Sequence, residues 1–228
     1  TIKLDGNYPT GTDNVALGNE ALDSGSLSGG NNTAIGDNAL SANTSGANNT
    51  AIGQAALCTN LTGGSNVAVG RCTLKLNTAS NNVAVGYHSM CTTSSGTENT
   101  AIGMSSLKSN TTADQNTALG NQTLCKNTTG ANNTSVGACS LEANTTGASN
   151  TSVGFESLKS NTTSAGNSAL GYEALQDNTT GGVNTAVGYR ALRDNTTAGS
   201  NVAVGSCSLI TNTTGTCNTA VGTNALLA

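Results

Sequence analysis

The chain has almost no aromatic residues and few charges. It contains no Trp, one Phe, four Tyr and one Pro, and charged residues make up 9% of its 228 positions, against roughly 25% in typical soluble domains. Its net charge is −4 and it has no run of Lys or Arg, so the basic footprint of a nucleic-acid-binding protein is missing. No apolar run approaches the ~18 residues of a membrane span. We therefore expect neither nucleic acid nor membrane insertion.

Residues that could form a catalytic or metal-binding site are also scarce. His88 is the only histidine, and no carboxylate or nucleophile stands at a spacing that suggests a catalytic pair. Acidic residues recur at too few equivalent positions for a calcium ladder. The seven cysteines include no Cys-x-x-Cys and no metal-site spacing. We expect no enzymatic activity, no metal and no cofactor.

The dominant feature of the sequence is a repeat. The phrase Asn-Thr-Ala-Val-Gly of Asn184 to Gly188 recurs thirteen times with small changes, spaced by 18, 17, 17 and 16 residues and then always by 17. Its Asn is Asn14, Asn32, Asn49, Asn66, Asn82, Asn99, Asn116, Asn133, Asn150, Asn167, Asn184, Asn201 and Asn218. A fixed period of this kind is typical of repeat architectures. We predict a lead-in segment over residues 1–13 and a single repeat domain over residues 14–228.

We number each repeat from its Asn as the first place. The fourth place is Val, Ile or Leu, the fifth is always Gly, the ninth is Leu or once Met, and most repeats carry Asn-Thr-Thr from the twelfth. Such short units, rich in Asn, Thr and Gly, cannot form a helical hairpin, whereas Thr-Ala-Val suits a strand and Gly permits a corner with positive φ. We predict an all-β fold, a parallel β-solenoid of about thirteen 17-residue coils with two short strands per coil.

The repeat also predicts which places are buried. We expect the fourth and ninth places to fill the core, with the second place facing inward too, and the Gly to turn the corner. The small third place, Ala or Ser, either lets a neighbouring subunit approach or fills a narrow core. Two buried aliphatic side chains contribute about 1.5–3 kcal/mol each, whereas ordering each residue costs about 1–2 kcal/mol. A coil is therefore unstable alone, and we expect self-association into a homotrimer or a longer fibre.

The pattern Asn-(Thr/Val)-Ala-(Val/Ile)-Gly-x-x-(Ala/Ser) resembles the head repeats of trimeric autotransporter adhesins and related repeats in phage and algal-virus tail fibres. Asn82-Val-Ala-Val-Gly-Tyr-His-Ser89 and Asn184-Thr-Ala-Val-Gly-Tyr-Arg-Ala191 carry the likeness, which covers Asn14 to Ala228. The resemblance implies a left-handed β-roll, three chains side by side, and display at a surface for attachment. The adhesin repeat is shorter, and the additional residues here fall in the Asn-Thr-Thr-Gly turn.

The Asn-Thr-Thr triplets match the N-glycosylation motif. The candidate asparagines are Asn43, Asn60, Asn110, Asn127, Asn144, Asn161, Asn178, Asn195 and Asn212. One sugar per coil would be crowded at a coil spacing of ~4.8 Å. The alternative is that the triplet provides turn chemistry and a ladder of stacked amides.

The cysteines favour an oxidising, extracellular setting. Cys58 and Cys72 lie 14 residues apart in successive coils, and Cys125 and Cys139 repeat that offset. We predict that these two pairs form disulfides that join neighbouring coils. Cys207 with Cys217 is a weaker third pair. Cys91 is then left over, either as a free thiol or in an intermolecular bond.

The sixth place follows the corner Gly and is the most variable. It carries Tyr87 and, in three successive coils, Phe155, Tyr172 and Tyr189. Such rings could bind cell-surface glycans or a partner, or could pack against one another. The leading hypothesis for function is an extracellular structural fibre, on a cell surface, on a virion or in a secreted filament. The alternatives are a receptor- or glycan-binding adhesin and, because flat Thr ladders are a feature of such proteins, an ice-binding solenoid.

Overall fold

The computed structural model describes residues 13–226, and these form an all-β parallel β-solenoid. They contain thirteen three-residue strands and no helix. The strands are β1 Val15–Leu17, β2 Thr33–Ile35, β3 Thr50–Ile52, β4 Val67–Val69, β5 Val83–Val85, β6 Thr100–Ile102, β7 Thr117–Leu119, β8 Thr134–Val136, β9 Thr151–Val153, β10 Ser168–Leu170, β11 Thr185–Val187, β12 Val202–Val204 and β13 Thr219–Val221. The predicted lead-in of residues 1–13 lies outside the described part, except for Asp13.

The coils belong to two compact units, one ending at Asp114 and the other beginning at Gln115. In the first unit β1 to β6 pair in chain order, and in the second β7 to β13 do the same. Every pair is parallel and aligns the same place of successive coils, as Thr50 aligns with Val67. The period of the sequence is therefore the period of the structure.

Backbone hydrogen bonds join each coil to both of its neighbours. The second-place N–H of Thr50 donates to Asn66 O of the following coil at 2.8 Å, and the fifth-place N–H of Gly53 donates to Ile35 O of the preceding coil at 2.7 Å. Equivalent bonds recur along each unit. A coil thus satisfies its backbone groups mainly through its neighbours, which explains why a single coil could not be stable.

The fifth-place Gly turns a corner that excludes other residues. Its φ lies between 125° and 146° in all thirteen coils, in a region that residues other than glycine rarely adopt. A Cβ added to Gly53 would also lie 2.5 Å from the carbonyl oxygen of Gly70 in the next coil. The prediction that this Gly provides the corner is confirmed.

The predicted second strand is absent from the described residues. The sixth to eleventh places form turns, as in Gln54 to Thr59. Within this segment the N–H of Ala56 donates to Gly53 O at 3.2 Å, and that of Asn60 donates to Leu57 O at 3.1 Å. The ninth-place residue has a φ of 48° to 53° in every coil, which is a left-handed conformation and incompatible with a strand. The β-content of each coil is therefore a single three-residue strand.

The core is narrower and more polar than the sequence suggested. The ninth-place Leu is buried as predicted, with 0% exposure in most coils. The third-place residue is buried too, with 0% exposure for Ala51, Ala101 and Ser135. The second and fourth places of the strand consequently face outward, because successive side chains of a strand point to opposite faces. The prediction that the second and fourth places are internal is wrong, and the small third place fills a narrow core.

Two rows of buried asparagine also lie in the core, beside a buried eighth-place row of small residues such as Ala56 and Ser106. In the first-place row, Asn150 donates from its backbone N–H and from Nδ2 to Asn133 Oδ1, at 3.0 and 3.1 Å. In the twelfth-place row, Asn144 Nδ2 donates to Asn127 Oδ1 at 2.8 Å and to Gly147 O at 2.9 Å. Both rows are fully buried over most of their length. Stacking identical coils satisfies these amides, which would be costly to bury unpaired.

Candidate interaction surfaces

The outward side of the strands is an uncharged surface, which we call the strand face. It consists of the second-place and fourth-place side chains of β1 to β6 in the first unit and of β7 to β13 in the second. The second place is Thr in eight coils and Val or Ser in the others, and the fourth is always Val, Ile or Leu. Neither place carries a charged residue in any coil. The strand face therefore combines β-branched hydroxyls with aliphatic side chains.

The aliphatic fourth-place side chains of the strand face are partly exposed, and about half of them are exposed enough to contact a partner. Ile52 and Ile102 are 37% and 38% exposed in the first unit, and Leu119 and Leu170 are 45% and 51% exposed in the second. Isolated exposed aliphatic residues are ordinary, but contiguous apolar rows on a protein surface mark interaction sites. Sequence reasoning missed this surface, because it assigned the repeated aliphatic fourth place to the core.

The sixth-place rings of the second unit form a column. Phe155 and Tyr172 stack with ring centroids 5.4 Å apart and planes 17° apart, and Tyr172 and Tyr189 stack at 5.4 Å and 13°. These values are typical of offset-stacked aromatic pairs. The three rings are 41% to 45% exposed. The sixth place is thus outward as predicted, and the inner faces of the rings are occupied by one another.

Tyr87, the fourth predicted binding residue, stacks on His88, with centroids 3.9 Å apart and planes 13° apart. The Arg71 guanidinium carbon lies 5.8 Å from the Tyr87 ring centroid. Burial, with smaller contributions from the charges of Lys108 and Arg71, lowers the pKa of His88 below its usual value. His88 is therefore neutral near pH 7.

An ionic network runs beside the aromatic column. Arg190 Nε donates to Glu173 Oε2 at 2.7 Å, and Lys159 Nζ donates to Glu156 Oε1 at 2.7 Å. Burial raises the pKa of Glu173, but hydrogen bonds from Arg190 and Tyr172 outweigh it and hold that pKa below its usual value. The Arg190 guanidinium carbon also lies 4.9 Å from the Tyr189 centroid. The Arg190 guanidinium and the Tyr189 ring therefore form a cation–π contact that stabilises both side chains.

The predicted glycosylation sites lie inside the solenoid. Eight of the nine asparagines have 0% exposure: Asn43, Asn60, Asn110, Asn127, Asn144, Asn161, Asn178 and Asn195. The ninth, Asn212, is partly exposed but donates from Nδ2 to Asn195 Oδ1 at 3.1 Å and to Gly215 O at 2.9 Å. Nδ2 is the atom that would carry the sugar. Glycosylation is therefore incompatible with the folded coils, and the alternative, an amide ladder at the turn, is confirmed.

The structure contains no disulfide among the seven cysteines, all of which lie in the described part of the chain. The predicted bonds Cys58–Cys72, Cys125–Cys139 and Cys207–Cys217 are not formed, and neither is a bond from Cys91. Glu156, at the seventh place, contacts the tenth-place Lys159 of its own coil and the tenth-place Gln176 of the following coil. The first two predicted pairs would instead join a seventh-place Cys to the tenth place of the preceding coil.

Three of the seven thiols are poorly activated. Burial is the largest influence on Cys58, Cys91 and Cys139, and it raises the pKa of each thiol. A raised pKa reduces the fraction of thiolate, which is the nucleophilic form. Residues 13–226 hold no group of three or more His, Cys, Asp or Glu side chains that could bind a metal ion, and no helix long and apolar enough to cross a membrane.

In comparisons with known proteins, no family model, no curated protein and no solved structure matches the chain significantly.

Proposed function

We propose that the chain is a structural segment of an extracellular fibre in which three copies associate side by side through their strand faces. The observation that carries this proposal is the exposure of the fourth-place row, represented by Ile52, Ile102, Leu119 and Leu170. Association would remove this row from water. The extracellular setting and the number three come from the resemblance to adhesin heads and tail fibres.

A second copy is the occupant that fits the strand face best. Every coil presents the same uncharged pair of places, so a parallel copy offers an equally apolar and equally regular surface. No charge is left unpaired when the two faces meet. The face is also free of the charged anchors that distinguish one foreign partner from another.

The energies are of the right size for association. Burying the exposed third of one fourth-place side chain contributes about 0.5–1 kcal/mol, a third of the value for complete burial. The six coils of the first unit would then contribute roughly 3–6 kcal/mol per chain. Association costs an estimated ~4–15 kcal/mol. The burial offered by one unit is thus comparable to the lower end of the cost of association.

The proposal is tested with charges placed on the strand face. The double variant Ile52→Lys/Ile102→Lys should dissociate the assembly into single chains, measured by light scattering after size-exclusion chromatography. Leu61→Lys is the matched control, since Leu61 is 48% exposed but occupies the thirteenth place, away from the strands. Equal masses for the double variant and the unmodified oligomer would refute association through this face.

Ice binding is a second candidate for the same face. Sequence reasoning disfavoured it because the second-place Thr was expected to point inward, yet Thr117, Thr134 and Thr151 are exposed. Their hydroxyl and methyl groups recur at the strand spacing on rigid β-branched side chains. A monomer with thermal hysteresis that Thr134→Lys abolishes would favour ice binding. A trimer without thermal hysteresis would favour the fibre.

A further inference from the structure

The aromatic column of the second unit ends at a small sixth-place residue on both sides, Ala138 before Phe155 and Ser206 after Tyr189. The sixth places of successive coils are aligned along this unit, because the seventh-place N–H of each coil donates to the sixth-place O of the preceding coil. These bonds are Cys139 N–H to Asn121 O at 3.0 Å, Glu156 N–H to Ala138 O at 3.1 Å and Glu173 N–H to Phe155 O at 2.9 Å. The row therefore runs from Asn121 through Ala138 to Phe155 and its two stacked tyrosines. At Ala138 the column has a methyl group where the following coils have rings.

The missing ring leaves a slot one coil wide. Tyr172 covers one face of Phe155 at 5.4 Å, but on the other side the Ala138 methyl is too short to cover the ring. The next longer side chain in the row belongs to Asn121, two coils before Phe155. Since coils repeat at ~4.8 Å, a ring placed over Ala138 would lie at stacking distance from Phe155.

The surroundings of the slot are polar. Glu142, Lys159 and Glu156 are the charged groups around Cys139, the residue that follows Ala138, and the Lys159 ammonium is held by Glu156 at 2.7 Å. An aromatic face beside carboxylate and ammonium groups suits a ring that is apolar on one face and carries hydroxyls at its edge. The hydroxyls of such a ring can add hydrogen bonds to these groups, whereas a phenyl ring cannot.

We propose that the slot bounded by Phe155, Ala138 and Asn121 binds a pyranose sugar ring, whose C–H face stacks on Phe155 and whose hydroxyls reach Glu142 and Lys159. This site is independent of the strand face, since it uses the sixth place and the turn that follows it. It assigns recognition to the end of the aromatic column, because the faces between stacked rings are already occupied. The ligand could be a free sugar or the terminal residue of a glycan.

The test measures binding of methyl glycosides of glucose, galactose, mannose and N-acetylglucosamine to the full chain by saturation-transfer NMR. At least one should bind, with saturation transferred to its ring C–H protons. Phe155→Ala should weaken that binding by about tenfold. Ala138→Tyr should abolish it by filling the slot, and Tyr is acceptable at this place because Tyr172 and Tyr189 already occupy it in other coils.

Tyr172→Phe is the matched control, because it alters the middle ring of the column, both faces of which are already stacked, and it should leave binding unchanged. The proposal is overturned if none of the four glycosides binds, or if Ala138→Tyr binds as well as the unmodified chain. Binding of N-acetyltyrosinamide without binding of any glycoside would also overturn it, in favour of an aromatic side chain from a protein partner. These outcomes do not depend on the proposed function, so refuting the trimer that packs through the strand faces would leave them unchanged.

Discussion

The twelfth-place asparagine row contains a natural interruption whose repair should stabilise the fold. Coil five has Thr93 where its neighbours have Asn77 and Asn110. The buried Thr93 Oγ1 has no hydrogen-bond partner among the described residues, and neither has Asn60 Oδ1 at the same place two coils earlier. Thr93→Asn would supply an amide that can donate to Asn77 Oδ1 and to Gly96 O, as Asn144 does in its own coil.

The size of the effect follows from the bonds involved. Each hydrogen bond gained contributes about 0.5–1.5 kcal/mol net, so Thr93→Asn should raise the free energy of unfolding by about 1–3 kcal/mol. The reverse change, Asn144→Thr, removes the two bonds donated by Asn144 and the one it accepts from Asn161 at 2.8 Å. We expect it to lower the free energy of unfolding by about 2–5 kcal/mol.

Guanidinium denaturation followed by circular dichroism measures both changes, and hydrogen exchange locates them in the altered coils. Asn212→Thr is the control, because Asn212 is partly exposed and its row neighbour is Asn195 alone. It should cost less than Asn144→Thr. The reasoning would be refuted if Asn144→Thr left the unfolding midpoint unchanged or if Thr93→Asn lowered it.

Three further predictions concern the corner, the ionic network and the thiols. Gly53→Ala should destabilise by about 3 kcal/mol or more, since its Cβ would meet Gly70 O at a strained φ. Gly166→Ala, also at positive φ but with no atom closer than 3.7 Å to the added Cβ, should cost about 1 kcal/mol; equal unfolding midpoints would contradict this. Because the folded pKa of Glu173 is depressed, its contribution to stability is present above the ordinary value of about 4.3 and is lost as the pH falls through the folded value. The melting temperature of Glu173→Gln should therefore decline less steeply under acid than that of the unmodified chain, and parallel curves would count against the Arg190 bond. Finally, the intact mass should be the same with and without reductant, and a mass increase on reduction would reveal disulfides absent from the structure.

The period, the strand position and the corner were predictable because each depends on local chemistry. A Gly at the fifth place of each coil, preceded by Thr-Ala-Val or a close variant, predicts a strand that ends in a corner. The ninth-place Leu was correctly predicted to be buried, since it is the only large aliphatic residue common to the second half of each coil. Its left-handed φ was not predictable, because Leu has no preference for that conformation.

The orientation of the three-residue strand could not be read from the sequence. Alternation allows either Ala51 or its neighbours Thr50 and Ile52 to face the core, and the usual preference for buried aliphatic residues selected the wrong side. The core has no room for a second aliphatic row, because Leu57 and the two asparagine rows already fill it. The asparagines were ambiguous for the same reason, since Asn-Thr-Thr reads equally as a glycosylation motif and as a buried ladder.

Sedimentation equilibrium of the full chain under native conditions tests the central claim most directly, namely that the strand faces of several copies pack together. The account predicts a mass three times the 22.3 kDa of the chain, falling to the mass of one chain in Ile52→Lys/Ile102→Lys. A single 22.3 kDa species for the unmodified chain, at concentrations where the strand face should be covered, would contradict it.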